Sequence, residues 1–194
     1  MTYDGENRPL SVTTAGGVRT EYTYAADGTR LTKTDNAGTS SATVTPTVGE
    51  LEIRNYGQSG SEVVLAYPSA GSREDLTAGT TVYLHRDQQS SVRASSGDLG
   101  VLEKQSVYTP FGVVTDFVST GFTVDETKGY VGQRYDSEAG LQYLNARYYD
   151  PKLALFIQPD NQRSSRMVLA GESTVIDAVM MPVEAEPLIA GVDL

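Results

Sequence analysis

The 194-residue chain has no cysteine and no tryptophan. Without Cys there is no disulfide framework and no thiolate metal centre. One histidine, His85, excludes a His-cluster metal site and leaves a serine-type triad only that residue as its base. A lone His in a strand-like run reads better as a structural or exposed side chain. Positive charge is scarce: 15 Lys and Arg face 25 Asp and Glu, a formal net charge of −10. That balance disfavours nucleic acid, whose phosphates need clustered cations. It equally disfavours an anionic membrane surface. No apolar run reaches the roughly 18 residues of a membrane span, so no membrane insertion is expected. The first residues, Met1-Thr2-Tyr3-Asp4, carry neither a basic stretch nor an apolar core of a leader peptide.

What is present is a strand-and-turn composition. There are 19 Gly and 12 Tyr, with abundant Thr and Val. Every tyrosine lies between Tyr3 and Tyr149. Tyr3-Asp4-Gly5-Glu6-Asn7-Arg8-Pro9-Leu10 lies over Tyr24-Ala25-Ala26-Asp27-Gly28-Thr29-Arg30-Leu31 at a spacing of 21 residues. Each unit is an aromatic, a polar turn and a Leu. Val18, Thr20, Tyr22 and Tyr24 share one strand face, and Ala25 to Gly28 form the turn. A unit of this kind cannot bury its tyrosine face alone, so neighbouring copies are expected to stack.

Further along, residues 35–50 read as a loop or weak hairpin. Strands are expected at Glu62–Tyr67, Thr80–Arg86, Ser91–Ser95 and Val101–Tyr108. Tyr108-Thr109-Pro110-Phe111-Gly112 is expected to close the meander, the proline ending the pairing. The predicted fold class is therefore all-β, made of consecutive antiparallel hairpins up to Asp160. Residues 161–194 change character, and are expected to be a weakly ordered tail or a short helix through Val168, Val175, Ile176 and Val179.

Four blocks together resemble the YD-repeat and Rhs core family, which includes shell components of insecticidal toxin complexes. The first is the repeat pair, with Tyr3 and Tyr24. The second is Tyr83-Leu84-His85-Arg86-Asp87 leading to Ser91-Val92-Arg93, in which Gln88-Gln89-Ser90 departs from the family's His-Leu-small triplet. The third is Tyr108-Thr109-Pro110-Phe111-Gly112. The fourth runs from Tyr130 to Pro151 through Gly140, Leu141, Tyr148 and Tyr149, and extends to Phe156 and Asp160.

The resemblance implies a segment of a β-spiral ribbon ending in a core plug. It divides the chain into YD repeats (1–50), a repeat-associated meander (51–128), the core signature (129–160) and a divergent tail (161–194). It implies that further repeats precede residue 1, that an enclosed C-terminal polypeptide is the partner, and that the protein is extracellular or on the cell surface. No cofactor is implied. Many family members cleave themselves with paired aspartates, which carries over here to Asp136 and Asp150, with Arg134 and Arg147 as polarising cations. The stretch after Asp160, Asn161-Gln162-Arg163-Ser164, lacks the Pro, Gly and Leu of self-cleaving members, so the chain is expected to stay intact. The alternative partner is a glycan, stacked on solvent-facing tyrosines. Inward tyrosines would favour the shell reading.

Overall fold

A computed structural model describes residues 1–122 and 126–159; the tail expectation for 161–194 and the position of Asp160 lie outside them. The described residues form two antiparallel sheets. The larger is a twelve-stranded ribbon in strict sequence order. Its strands are β1 (Thr2–Tyr3), β2 (Pro9–Thr13), β3 (Arg19–Tyr24), β4 (Arg30–Asp35), β5 (Thr43–Val48) and β6 (Leu51–Arg54), followed by β7 (Val63–Ser69), β8 (Ser72–Asp75), β9 (Thr80–Arg86), β10 (Val92–Gly97), β11 (Leu102–Tyr108) and β12 (Val114–Val118). After a short 3-10 turn, Tyr130–Gly132, a four-stranded core sheet follows: β13 (Arg134–Asp136), β14 (Leu141–Tyr143), β15 (Tyr148–Asp150) and β16 (Leu155–Phe156). The all-β expectation holds.

One turn design recurs at both ends of the ribbon. In the turns that begin at Asp4, Thr14, Ala25, Asp87, Gly97 and Thr109, the first residue's N–H donates to the carbonyl four residues on. The fourth residue's N–H donates back to the first carbonyl. The fourth residue always has positive φ: Asn7, Gly17, Gly28, Ser90, Gly100 and Gly112. This is the three-residue hairpin loop with a left-handed bulge residue. Asp4 and Asp87 reinforce it, because each Oδ1 accepts N–H groups from two and four residues on. The aspartate of the tyrosine-aspartate pair Tyr3-Asp4 thus acts as a turn staple.

Two expectations are revised. Of the two readings of residues 35–50 the loop gives way to the hairpin: Thr43 to Val48 pair with both β4 and β6. The run of Thr and Ser hides an alternation in which Lys33 and Asp35 face Thr45 and Thr43 across the pairing. The second correction is at Pro110. The ribbon does not stop there, because β12 follows and pairs Val114 with Tyr108. Pro110 sits inside a hairpin turn, where its missing N–H costs no ladder bond.

The two apolar clusters sit apart. Val12 and Tyr22 of the ribbon pack with Leu141, Tyr143 and Tyr148 of the core sheet. Leu65, Tyr67, Val82, Leu84 and Val92 form a second cluster within the ribbon itself. Between them, on the inner face of β4 to β8, lie Arg30, Asp35, Glu52 and Arg73, all buried.

Candidate functional site: the seat of the core sheet on the ribbon

Buried charge is costly unless paired, so these residues locate whatever the ribbon is built to hold. Each of three answers a residue of the core segment. Arg30 on β4 donates to Asp136 on β13 at 2.6 Å, with both side chains at most 5% exposed. Glu52 on β6 pairs with Arg134 on β13. Arg73 on β8 donates to Glu126 at 3.2 Å. Lys33 stands 3.9 Å from the other oxygen of Asp136 and 2.7 Å from Asp35.

Aromatic rings sheath these pairs. The Arg30 guanidinium lies 4.3 Å from the Tyr143 ring centre and 5.6 Å from that of Tyr22. Tyr67 takes Lys128 at 3.8 Å and Arg134 at 5.1 Å over its ring. Cation–π contact of this kind gains strength where water is excluded. Tyr148 stacks obliquely on Tyr22 and Tyr143, with centres 5.0 and 5.1 Å away. Its hydroxyl donates to that of Tyr24 at 3.2 Å and accepts from Arg30 at 3.4 Å. Burial would lower the Arg30 pKa, but the Asp136 carboxylate and the Tyr148 hydroxyl outweigh it and hold the guanidinium charged. Arg134 moves the other way: burial, aided by repulsion from Arg30, brings it down to about 10.

A third contact ties the core segment to the turn between β11 and β12. Tyr130 donates its hydroxyl to the Pro110 carbonyl at 2.9 Å, and Tyr149 donates to Phe111 at 3.0 Å. Gly112 has φ +89°, and a Cβ there would lie 2.6 Å from the Tyr130 ring. Two of the blocks singled out in the sequence therefore meet: the Tyr-Thr-Pro-Phe-Gly turn is a seat for core tyrosines. Gln142 completes the frame, donating to the carbonyls of Tyr130 and Gln133.

The carried-over aspartates occupy different settings. Asp136 is opposite Leu141, and Asp150 lies one residue beyond the Tyr149–Gln142 pair, so β14 runs between them. Two strand spacings put their α-carbons about 10 Å apart. Asp136 is engaged by Arg30, while Asp150 accepts the N–H groups of Lys152 and Leu153 in its own turn. Arg134 joins Asp136 at the seat, and Arg147 instead covers the Phe156 ring at 3.8 Å. Among the described residues no cluster of three His, Asp or Glu side chains could hold a metal ion, and no helix is long and apolar enough to cross a membrane.

Among the other signature residues, Tyr24 hydrogen-bonds the Pro9 carbonyl and Tyr108 that of Val92. Tyr3 is 40% exposed on the terminal strand. Gly140 takes φ +69° in the β13–β14 turn. Sequence reasoning missed Arg30, Glu52, Arg73 and Glu126. The available signal was weak: Glu52 and Arg73 sit on strand faces whose neighbouring rows are apolar.

These features define a class: a tandem-hairpin ribbon that wraps its own core sheet. The model of the Teneurin YD-shell family matches residues 11–180, and the chain belongs to that family. It is 28% identical over 172 residues to the tRNA3(Ser)-specific nuclease WapA of Bacillus spizizenii, covering 82% of this chain and 7% of that protein. It is 25% identical over 196 residues to the double-stranded DNA deaminase toxin A of Burkholderia cenocepacia, covering 82% of this chain and 13% of that one. The crystal structure of TcdB2-TccC3-TEV superposes with a TM-score of 0.71 at 19% identity, over 83% of this chain and 9% of the larger one. TcdB2-TccC3 gives 0.70 at 19% identity, over 82% and 9%. The ribbon fold is thus shared, and the chain spans about a tenth of the length of these proteins.

Proposed function

We propose that this YD-shell fragment is a stretch of wall together with the sheet that closes it, in a larger exported protein that encloses the polypeptide following its core. One observation carries this reading: the ribbon turns its ring-bearing face inward onto the core sheet. Tyr22 and Tyr67 of the ribbon are buried, as are Tyr143 and Tyr148 of the core sheet. The exposed rings of Tyr3, Tyr56 and Tyr83 stand on separate elements, which gives a glycan no continuous stacking row. The nuclease and deaminase activities named for the two bacterial relatives belong to proteins many times longer. A superposing structure is described as lacking a hypervariable C-terminal region, which fits a constant wall followed by a variable occupant.

Asp136 serves here as the buried partner of Arg30, and the chain is not cut by an Asp136–Asp150 pair. A proton-sharing dyad needs two carboxylates in contact, and β14 separates these two. The test is protease protection of the complete open reading frame. The polypeptide beyond the core should resist digestion until the shell is denatured; equal digestion before and after denaturation would reject enclosure. Intact-mass spectrometry of the present chain after a day at 25 °C should show one species. A fragment absent from Asp136→Asn and Asp150→Asn would establish self-cleavage.

A further inference from the structure

The three buried ion pairs follow a pattern. The three ribbon residues that pair with the core segment, Arg30 on β4, Glu52 on β6 and Arg73 on β8, alternate in sign, while Lys33 pairs with Asp35 beside Arg30 and Arg54 lies beside Glu52. The core segment answers with Asp136, Arg134 and Glu126. We propose that this alternation is a register key: it fixes where along the ribbon the core segment sits, and it admits only a segment of acid–base–acid pattern.

A repetitive antiparallel ribbon offers a docking segment similar seats one hairpin apart, because moving by two strands restores both the inward face and the strand direction. Shape and apolar burial discriminate poorly among such seats. Charge does so sharply. Shifting the segment two strands toward β8 sets Asp136 against Glu52 and Arg134 against Arg73. Shifting it the other way sets Arg134 against Arg30 and Glu126 against Glu52. Both slips put like charges together in a site that excludes water, where an unpaired charge is severely penalised. The segment is stiff enough for the pattern to be read as a unit. Residues 126–136 are cross-braced by the Lys128–Arg134 bridge and by Tyr135 N–H on the Thr127 carbonyl. Each anchor is further oriented: Glu126 accepts the Tyr67 hydroxyl, and Glu52 takes Arg54 at 2.7 Å and the Thr127 hydroxyl at 3.4 Å.

The key concerns registration within this chain, and its failure would leave the enclosure reading untouched. Charge reversal at the outer pair tests it. Arg73→Glu or Glu126→Arg alone should cut hydrogen-exchange protection of β13–β15 amides by roughly 100-fold or more, the effect of stranding a buried charge. The double swap Arg73→Glu/Glu126→Arg should recover to within about ten-fold of the parent chain. Losses that simply add in the double variant would overturn the key. Where those chains do not fold, the middle-pair swap Glu52→Arg/Arg134→Glu decides. It keeps every native pair opposite in sign but abolishes the alternation, so both slips now set opposite charges together and NMR should show more than one set of core-sheet resonances over unchanged hairpin cross-peaks. A single set with parental contacts would mean that packing alone sets the register.

Discussion

The two ends of the ribbon are built from the same materials and meet opposite fates. At β2 and β3, Val12 and Tyr22 are buried because β14 and β15 cover them. At β11 and β12 the inward-facing Val118, in the same row as Lys104 and Ser106, remains about half exposed, while Val107 and Phe117 face the other way, as Leu10 does on β2. Strand propensity and turn chemistry are alike at both ends, down to the shared turn design. What differs is the cover. Burial in a ribbon of this kind is therefore assigned by what docks on it, and the sequence of a hairpin alone does not say whether its ring is inside.

The largest contrast should appear in alkali. Burial pushes the hydroxyls of Tyr24 and Tyr108 up to about 12 from the ordinary 10.0, and pushes those of Tyr22, Tyr67 and Tyr148 in the same direction. The folded chain holds protons that the unfolded chain releases. The associated stability is complete below pH 10 and is lost as pH rises toward 12 and beyond. Tyrosinate absorbance should rise in two stages, with the second coinciding with loss of the β signal. A single reversible stage near pH 10 with the sheet intact would contradict the buried-ring assignment.

Single substitutions sharpen the same comparison. At the covered end, Asp136→Ala strands Arg30 and should cost about 3–5 kcal/mol in urea unfolding. Tyr148→Ala removes the ring on which Tyr22 and Tyr143 stack and should cost about 3–5 kcal/mol. Gly112→Ala forces a side chain into positive φ and against the Tyr130 ring. The expected loss is about 1–3 kcal/mol, and it should shrink in a Tyr130→Ala background. At the open end, Phe117→Ala should change monomer stability by less than about 0.5 kcal/mol. Its effect should appear in sedimentation instead, because among the described residues β12 has no partner on its outer edge and is flanked by exposed rings. Concentration-dependent association of the parent chain should weaken in Val118→Pro, where the lost N–H points away from β11.

The hairpin architecture was legible because turns and period-2 strands are local signals. Thr80–Arg86 emerges with the bounds read from its alternation. Local signals also misled. A proline within Tyr108–Gly112 looked like a stop, since nothing nearby announces that Val114–Val118 returns along β11. The Thr-rich run to Val48 left loop and weak hairpin both open because threonine serves turns and strands equally. The turns at Asn7 and Ser90 carry no glycine where a left-handed residue is needed, so their shared design appears only in the backbone. The seat itself was least legible. Arg30 and Glu52 are ordinary strand residues until a partner about a hundred positions away covers them, and no local pattern reports that distance.

The order of pairing has a consequence for how the chain acquires its structure. In the sheet each of the twelve ribbon strands pairs only with its sequence neighbours, so every hairpin can form as soon as its own residues leave the ribosome, at the speed of local loop closure. The seat is different. Arg30 must meet Asp136 across 106 positions, and Tyr24 must meet Tyr148 across 124. Joining residues so far apart carries a large closure entropy that nothing repays until the core sheet exists. The ribbon is thus assembled progressively and locked once, when the core strands emerge behind it.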